Sequence, residues 1–169
     1  SWNDAQDFIV WLNRRSGQQF DLPTEAQWEY AARGGTPTVR FWGDDSAYTC
    51  NYANIFDLTG KAKFNFGWPH HNCTDGYAGA APVGQFTFNP FGLYDLLGNV
   101  FEWCRDVYLK DGYARHGKQN PVVTSGGSSH VLRGGSWYTK PSDLRVSYRV
   151  FHKPDQQNNS LGFRLVKKP

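Results

Sequence analysis

The sequence predicts an α+β fold in which two amphipathic helices come first and an irregular, turn-rich region with a small antiparallel sheet follows. Three observations carry that prediction. Apolar residues recur with helical spacing only in the first third of the chain. An aromatic content of 17% with 18 Gly, 9 Pro and no Met points to short segments joined by specific turns and packed around rings, not to a helical bundle. A length of 169 residues suits one domain, and a chain of that size buries roughly two-thirds of its unfolded surface.

The elements follow in order. In SWNDAQDFIVWLNRRSG the apolar set Ala5, Phe8, Ile9 and Leu12 recurs at i, i+3, i+4 and i+7, with Ser1 or Asn3 as cap and Gly17 as stop. In LPTEAQWEYAARGG, Thr24 caps a second helix, Gln27 reaches back as the partner in a capping box, and Gly34-Gly35 ends it. Beyond residue 36 aromatic and β-branched runs are short and broken by Gly, Pro and Asn. HVLRGGSWY, LRVSYRVF and GFRLV read as strands, of which the first and last are expected to pair centrally. The chain opens abruptly at a helix start, so residues 1–169 are expected to be one domain lacking its amino-terminal portion, with a further part of the same protein upstream.

Charge and hydropathy exclude several classes. The net charge of +3 comes from 18 Lys+Arg against 15 Asp+Glu, and no basic run is longer than the Arg14-Arg15 and Lys167-Lys168 pairs. That is too little for a nucleic-acid footprint. No stretch approaches the roughly 18 apolar residues of a membrane span, and no signal-like segment precedes Ser1. The expectation is a soluble bacterial-type domain, cytoplasmic or exported.

The carboxylates of NPFGLYDLLGNVFEWCRD have a spacing that suits a hard cation. Asp95 and Glu102 are seven apart, with Gly98 and Asn99 between them to make a tight turn, so two carboxylates and intervening carbonyls can converge. Calcium takes that mixture of oxygens. The bland alternative is a turn cap and a surface ion pair. CNYANIFD and NCTDGYAG add Asn54 and Asp75 near Cys50 and Cys73. A bridge between those cysteines would draw both loops together; the alternative is three unrelated buried thiols.

Taken together, LPTEAQWEYAARGG, APVGQF, GLYDLLGNVFEW, VLRGGSW, LRVSYR and LGFRLV resemble the formylglycine-generating enzyme family, also called the sulfatase-modifying factor family, in the right order over nearly the whole chain. The resemblance implies a C-type-lectin-like core, two helices around a small twisted sheet. It also implies two calcium sites: one at Asn54, the Ile55 carbonyl, Asp75 and the Tyr77 carbonyl, the other at Asp95, the Gly98 and Val100 carbonyls and Glu102.

The family's activity does not follow as directly. Formylglycine-generating enzymes use a copper-binding cysteine pair, since soft thiolates select Cu(I). The matching positions are Thr139 and Leu144, which cannot act as thiolates. Cys50, Cys73 and Cys104 lie outside that motif. His70, His71, His116, His130 and His152 show no H-x-x-x-H or H-E-x-x-H spacing for iron or zinc.

Between the flanks RGGSW and LGFRLV the chain mixes residue types without a period. Tyr138, Thr139, Lys140, Ser142, Tyr148, Phe151, His152, Lys153, Asp155, Gln156, Gln157 and Asn158 are large, amphipathic or hydrogen-bonding, as in a paratope. The pattern resembles the variable proteins of diversity-generating retroelements, which carry a diversified patch between such flanks. Against this stands a plain reading, with Tyr148 and Phe151 in the core and KPDQQNNS a solvated loop. Arg133, Arg145, Arg149 and Arg164 are expected to be structural.

Two functions stay open. One is a noncatalytic domain on a calcium-stabilised scaffold that recognises a protein or glycan through residues 138–158. The other is an oxidative enzyme of the superfamily that dispenses with the cysteine pair and keeps a groove lined by Trp137, Tyr148 and Arg149. Loss of the pair favours the first.

Overall fold

A computed structural model describes residues 1–115 and 117–168 of the chain; His116, considered above as a ligand, lies outside the described residues. The contacts divide into two units. The first comprises Ser1–Trp28, Glu102–Arg133 and Arg149–Pro169, and the second Glu29–Phe101 and Gly134–Tyr148.

The first unit carries the sheet. Helix α1 (Trp2–Ser16) is capped by Ser1, whose hydroxyl accepts from the Asp4 N–H while the Asp4 side chain reaches back, and it ends at Gly17 in the left-handed conformation. Helix α2 (Glu25–Arg33) starts as its sequence dictates: the Thr24 hydroxyl accepts from the Gln27 N–H at 3.2 Å and the Gln27 side chain accepts from the Thr24 N–H at 2.9 Å. Strand β1 (Phe20–Asp21) pairs antiparallel with β6 (Val166–Lys167), Phe20 opposite Lys167. The main sheet comprises β2 (Phe101–Val107), β3 (His130–Arg133), β4 (Arg149–His152) and β5 (Leu161–Gly162) in the order β4-β3-β2-β5. The register sets Val131 opposite Phe151, and Trp103 opposite Leu132. Helix α5 (Gly112–Arg115) lies between β2 and β3 in sequence.

The core of this unit is built on Leu22, Trp28, Trp103, Val131 and Leu132, all essentially inaccessible. Glu25 is buried with them. Its carboxylate accepts from Arg149 Nε at 2.8 Å and Nη2 at 2.7 Å and from the Tyr113 hydroxyl at 2.8 Å, with Arg133 Nη1 at 3.6 Å. Arg133 also lies 5.3 Å from the Trp28 ring centroid. The fork of Arg149 matches a carboxylate in a way that a lysine cannot. Arg133, Arg149 and Arg164 are therefore structural, as their sequence context led us to expect.

The second unit has little regular structure: α3 (Thr49–Tyr52), α4 (Leu58–Lys63) and a single 3-10 turn at Pro141–Asp143. Its loops are tied by backbone polar groups. Asn99, at φ 60°, donates its N–H to the Asn54 carbonyl at 2.7 Å, while its side-chain oxygen accepts from the Ala81 N–H at 3.0 Å. Gly98, at φ 79°, lies so close to the Asn54 carbonyl oxygen that an added Cβ would overlap it. Cys50 and Cys73 are joined by a disulfide, which links α3 to the loop before Asp75. Ile55, Phe56, Leu96, Leu97, Leu144 and Val146 fill the core.

The α+β class stands, but three strand assignments change. The run HVLRGGSWY is a strand only as far as Arg133, because Gly134 and Gly135 have positive φ and turn the chain. GFRLV is not a partner of β3: its Gly162 belongs to β5 and its Val166 to β6, which pairs with β1. LRVSYRVF is a strand only from Arg149, as β4 on one side of β3. The strand on the other side of β3 is β2, in a stretch read above only for its ligands. Six of its seven residues are buried, so it lacks the alternation that marks a half-buried strand.

Candidate functional site

Thr139 and Leu144, the positions that the resemblance matches to the cysteine pair, both lie in the second unit. Thr139 is buried, and its hydroxyl accepts from the Ser136 N–H at 2.8 Å, closing the turn that Gly135 opens. Leu144 is buried in the core of the same unit. Neither is a metal ligand of the kind copper(I) selects. Cys50 and Cys73 are consumed in their disulfide, and Cys104 is fully buried, with burial pushing its thiol well above the usual range. The three cysteines therefore offer no thiolate at neutral pH.

Beside Thr139 lies an open groove of about 240 Å³ lined by Trp68, Phe101, Tyr138, Lys140, Asp143 and Tyr148. Its walls are ordered by ring packing. Phe64, Phe66 and Trp68 stack in a ladder with centroid separations of 5.4 and 4.5 Å. Trp137 supports the ladder from below at 5.4 Å from Phe64 and meets Tyr138 edge-on at 5.1 Å. The Trp68 indole N–H donates to the Tyr138 carbonyl at 3.1 Å, so both rings are held in place.

One carboxylate stands at the rim. Asp143 accepts from the Ser142 hydroxyl at 3.1 Å, with Lys140 Nζ at 3.6 Å and Arg145 Nη1 at 3.7 Å. Burial first, then the charge of Asp143 and the hydrogen bond donated to it, push the Tyr148 hydroxyl above its ordinary range. Arg145 lies 4.9 Å from the Tyr148 ring centroid and donates to the Ser142 carbonyl at 2.6 Å.

Of the predicted binding residues, Tyr138, Thr139, Lys140 and Tyr148 line this groove and Ser142 is exposed beside it in sequence; Trp137 is buried beneath. Arg149 belongs to the other unit and is spent on Glu25. Phe151, His152, Lys153, Asp155, Gln156 and Asn158 also fall in that other unit, all exposed. There Phe151 stacks on Tyr108 at 4.1 Å, Asn158 accepts from the Ser160 N–H at 2.9 Å, and Gln157 donates to Asp4 at 2.8 Å. Trp68, Phe101 and Asp143 escaped the sequence reading. The alternation of Phe64, Phe66 and Trp68 in FNFGW, one face of an extended segment, was the available signal for Trp68.

The oxygens read as cation ligands differ in their state. Asn54 is fully buried; its amide N–H₂ donates to the Gly79 carbonyl at 2.8 Å, whereas among the described residues its side-chain oxygen has no hydrogen-bond donor. Asp75 accepts from the Ile55 N–H at 2.8 Å and the Tyr77 N–H at 2.7 Å. Burial, reinforced by nearby Asp57, nonetheless pushes its carboxyl up to about 6. Asp57 itself accepts from the Asp75 N–H at 2.6 Å and the Gly60 N–H at 2.8 Å. A buried acceptor without a donor beside a carboxylate held at that cost fits a bound cation.

In the second set, Asp95, at φ 55°, accepts from the Gly84 N–H at 2.6 Å. Glu102 lies in the other unit, where both its oxygens accept from Arg164, at 2.6 and 2.7 Å, and one also accepts from the Trp28 indole at 2.6 Å. A cation at Glu102 would have to displace that guanidinium.

A chain with a four-stranded sheet, a few helices and long tethered loops, one of whose units holds a ring-walled groove beside a glycine turn, is an α+β scaffold with a candidate binding groove. Comparison with known proteins agrees. Residues 1–169 match the sulfatase-modifying factor enzyme 1-like domain model, and the chain belongs to that family. It is 37% identical over 98% of its length to the formylglycine-generating enzyme of Streptomyces coelicolor, of which the match covers 50%. Among solved structures it is similar to PvdO from Pseudomonas aeruginosa, with a TM-score of 0.84, 26% identity and 99% of this chain against 60% of that one. It is also similar to Treponema denticola variable protein 1, with a TM-score of 0.63, 31% identity and 90% of this chain against 49% of that one. The chain thus spans about half the length of the curated relatives it matches. Among the described residues no helix is long and apolar enough to cross a membrane.

Proposed function

We propose that this chain is a noncatalytic recognition domain of the formylglycine-generating enzyme family, which binds a protein or glycan ligand on a calcium-stabilised scaffold. One observation carries the reading: the positions of the family's cysteine pair hold a hydroxyl tied into a turn and a core leucine, while the groove beside them stays open and aromatic. Oxidation at a cysteine pair needs thiolates, and this groove has none. Aromatic walls with a few polar groups are the composition of a binding surface, where rigid rings supply area at low entropic cost. Likeness to a variable protein supports the same reading, and diversification of residues 138–158 by a retroelement is part of the proposal.

Calcium is assigned to the Asn54, Ile55, Asp75 and Tyr77 oxygens. There it would satisfy the Asn54 acceptor, neutralise the carboxylate beside Asp57, and hold the disulfide-linked loops of the second unit in place.

Elemental analysis of the purified protein, with oxygen consumption in the presence of thiol-containing peptides, tests the reading. Stoichiometric calcium without oxygen uptake is the expected result. Bound copper or iron with catalytic oxygen uptake would overturn it in favour of an oxidative enzyme that dispenses with the cysteine pair.

A further inference from the structure

Resting on that reading and deepening it, we infer that the groove takes a single aromatic ring bearing a carboxylate, with the ring between Trp68, Tyr138 and Tyr148 and the carboxylate on Lys140. The size of the groove comes first. At about 240 Å³ it falls below the roughly 300–1,000 Å³ of sites that engulf a drug-sized molecule, so it suits one side chain or a compound of similar size. Its walls are ring faces and edges, with Trp68 38% exposed and able to meet a flat partner. Offset stacking and edge contacts reward an aromatic occupant beyond area alone.

Rim electrostatics decide the charge of the ligand. Aromatic walls by themselves would also suit a cation, but a cation needs the Asp143 carboxylate, and that carboxylate is occupied. Ser142 and Tyr148 donate to it, and Lys140 and Arg145 flank it within 3.7 Å. With two donors bonded to it and two cations within 3.7 Å, its charge is already balanced. Donors, by contrast, are in surplus: two cations face one anion. Lys140 Nζ, at 3.6 Å from Asp143, is beyond hydrogen-bonding distance, and its side chain is 44% exposed. An ammonium so placed, with the Asp143 carboxylate at 3.6 Å, can donate to a ligand carboxylate at closer range.

The occupant that fits the reading of a protein ligand is the carboxy terminus of a peptide ending in Phe, Tyr or Trp; a free aryl carboxylic acid shares the chemistry and is the competing outcome of the test. The test titrates N-acetylphenylalanine, N-acetylphenylalaninamide and a tetrapeptide with a carboxy-terminal Phe into the protein, monitored by NMR at the backbone N–H groups of Tyr138 and Tyr148, which remain in every variant. The acid is expected to bind with a Kd of about 0.1–1 mM and the amide about ten-fold more weakly. Lys140→Met, a change at a half-exposed position, is expected to bring the acid down to the amide and leave the amide unchanged. Trp68→Ala is expected to weaken both. If the tetrapeptide binds at least three-fold more tightly than the amino acid, a protein carboxy terminus is the source; equal affinities point to the free acid. Equal binding of acid and amide, indifference to Lys140→Met, or no saturable shift with any probe would overturn the inference while leaving the recognition domain standing. Oxygen consumption on addition of the acid would overturn the recognition domain itself.

Discussion

Replacing Arg149 with alanine strips the buried Glu25 carboxylate of a bidentate partner. In the folded chain Glu25 has a 2% exposed side chain and Arg149 a 17% exposed one, joined at 2.7 Å. Breaking a buried pair by removing one partner costs about 3–5 kcal/mol, because the remaining charge stays buried. Arg133, fully buried with its Nη1 3.6 Å from Glu25, and the Tyr113 hydroxyl at 2.8 Å still face the carboxylate, which places the expected loss at the lower end, about 3 kcal/mol. For a chain of this size that lowers Tm by about 6–12 °C. Arg149→Lys keeps the charge and loses the fork, so an intermediate loss is expected. Urea denaturation of wild type, Arg149→Ala, Glu25→Gln and the double variant measures both the loss and the coupling. A coupling energy of about 1–3 kcal/mol is expected, with the double variant less destabilised than the sum of the singles. Arg149→Ala within about 0.5 kcal/mol of wild type, or strictly additive singles, would refute the view that this pair anchors β4 in the sheet.

Three further outcomes are expected. Calcium at 100 times its Kd should stabilise the fold by about 2.7 kcal/mol, or roughly 5–11 °C in Tm, and chelator should remove that gain. Asn54→Ala should abolish the difference between calcium and chelator whatever its own baseline, and persistence of the difference would place calcium elsewhere. His71 is buried, and burial together with the Arg40 charge lowers its pKa to about 4. The unfolded chain, at the ordinary value near 6.5, therefore binds the proton first; stability attributable to His71 is complete above about pH 6.5 and falls by up to roughly 3 kcal/mol as pH drops to 4. His71→Gln should flatten the dependence of stability on pH over that window, and a slope unchanged from wild type would show that His71 does not titrate there. Lys140→Met should leave Tm within about 2 °C of wild type, since the ammonium is half exposed and its ion pair with Asp143 is long, at 3.6 Å.

Parts of this molecule are legible one residue at a time. The caps at Ser1 and Thr24, with Asp4 and Gln27 three positions on, are local hydrogen-bond patterns, and both helices begin where those patterns place them. Thr139 and Leu144 tell against copper chemistry by identity alone, because no fold turns a hydroxyl or an isobutyl group into a thiolate. The structural role of Arg149 and Arg164 could be anticipated, but not their partners, Glu25 and Glu102, which lie 124 and 62 positions away.

Other features depend on chain-distant neighbours. Strand β2 is buried on both faces and so carries no period to read. Glu102, spaced from Asp95 as a cation ligand would be, meets Arg164 and Trp28 in the fold, and spacing cannot register that competition. The groove joins Trp68 to Tyr138 across 70 positions through one indole hydrogen bond, and its charge preference comes from four groups converging on Asp143. The sequence by itself determined the family scaffold, the helices and the absence of the cysteine pair, because these depend on residue identity and on contacts within a few residues. Only the tertiary structure decided which rings form a groove, which carboxylates are already satisfied and which cation stands ready for a ligand, because those are set by packing distances between segments that the chain order does not encode.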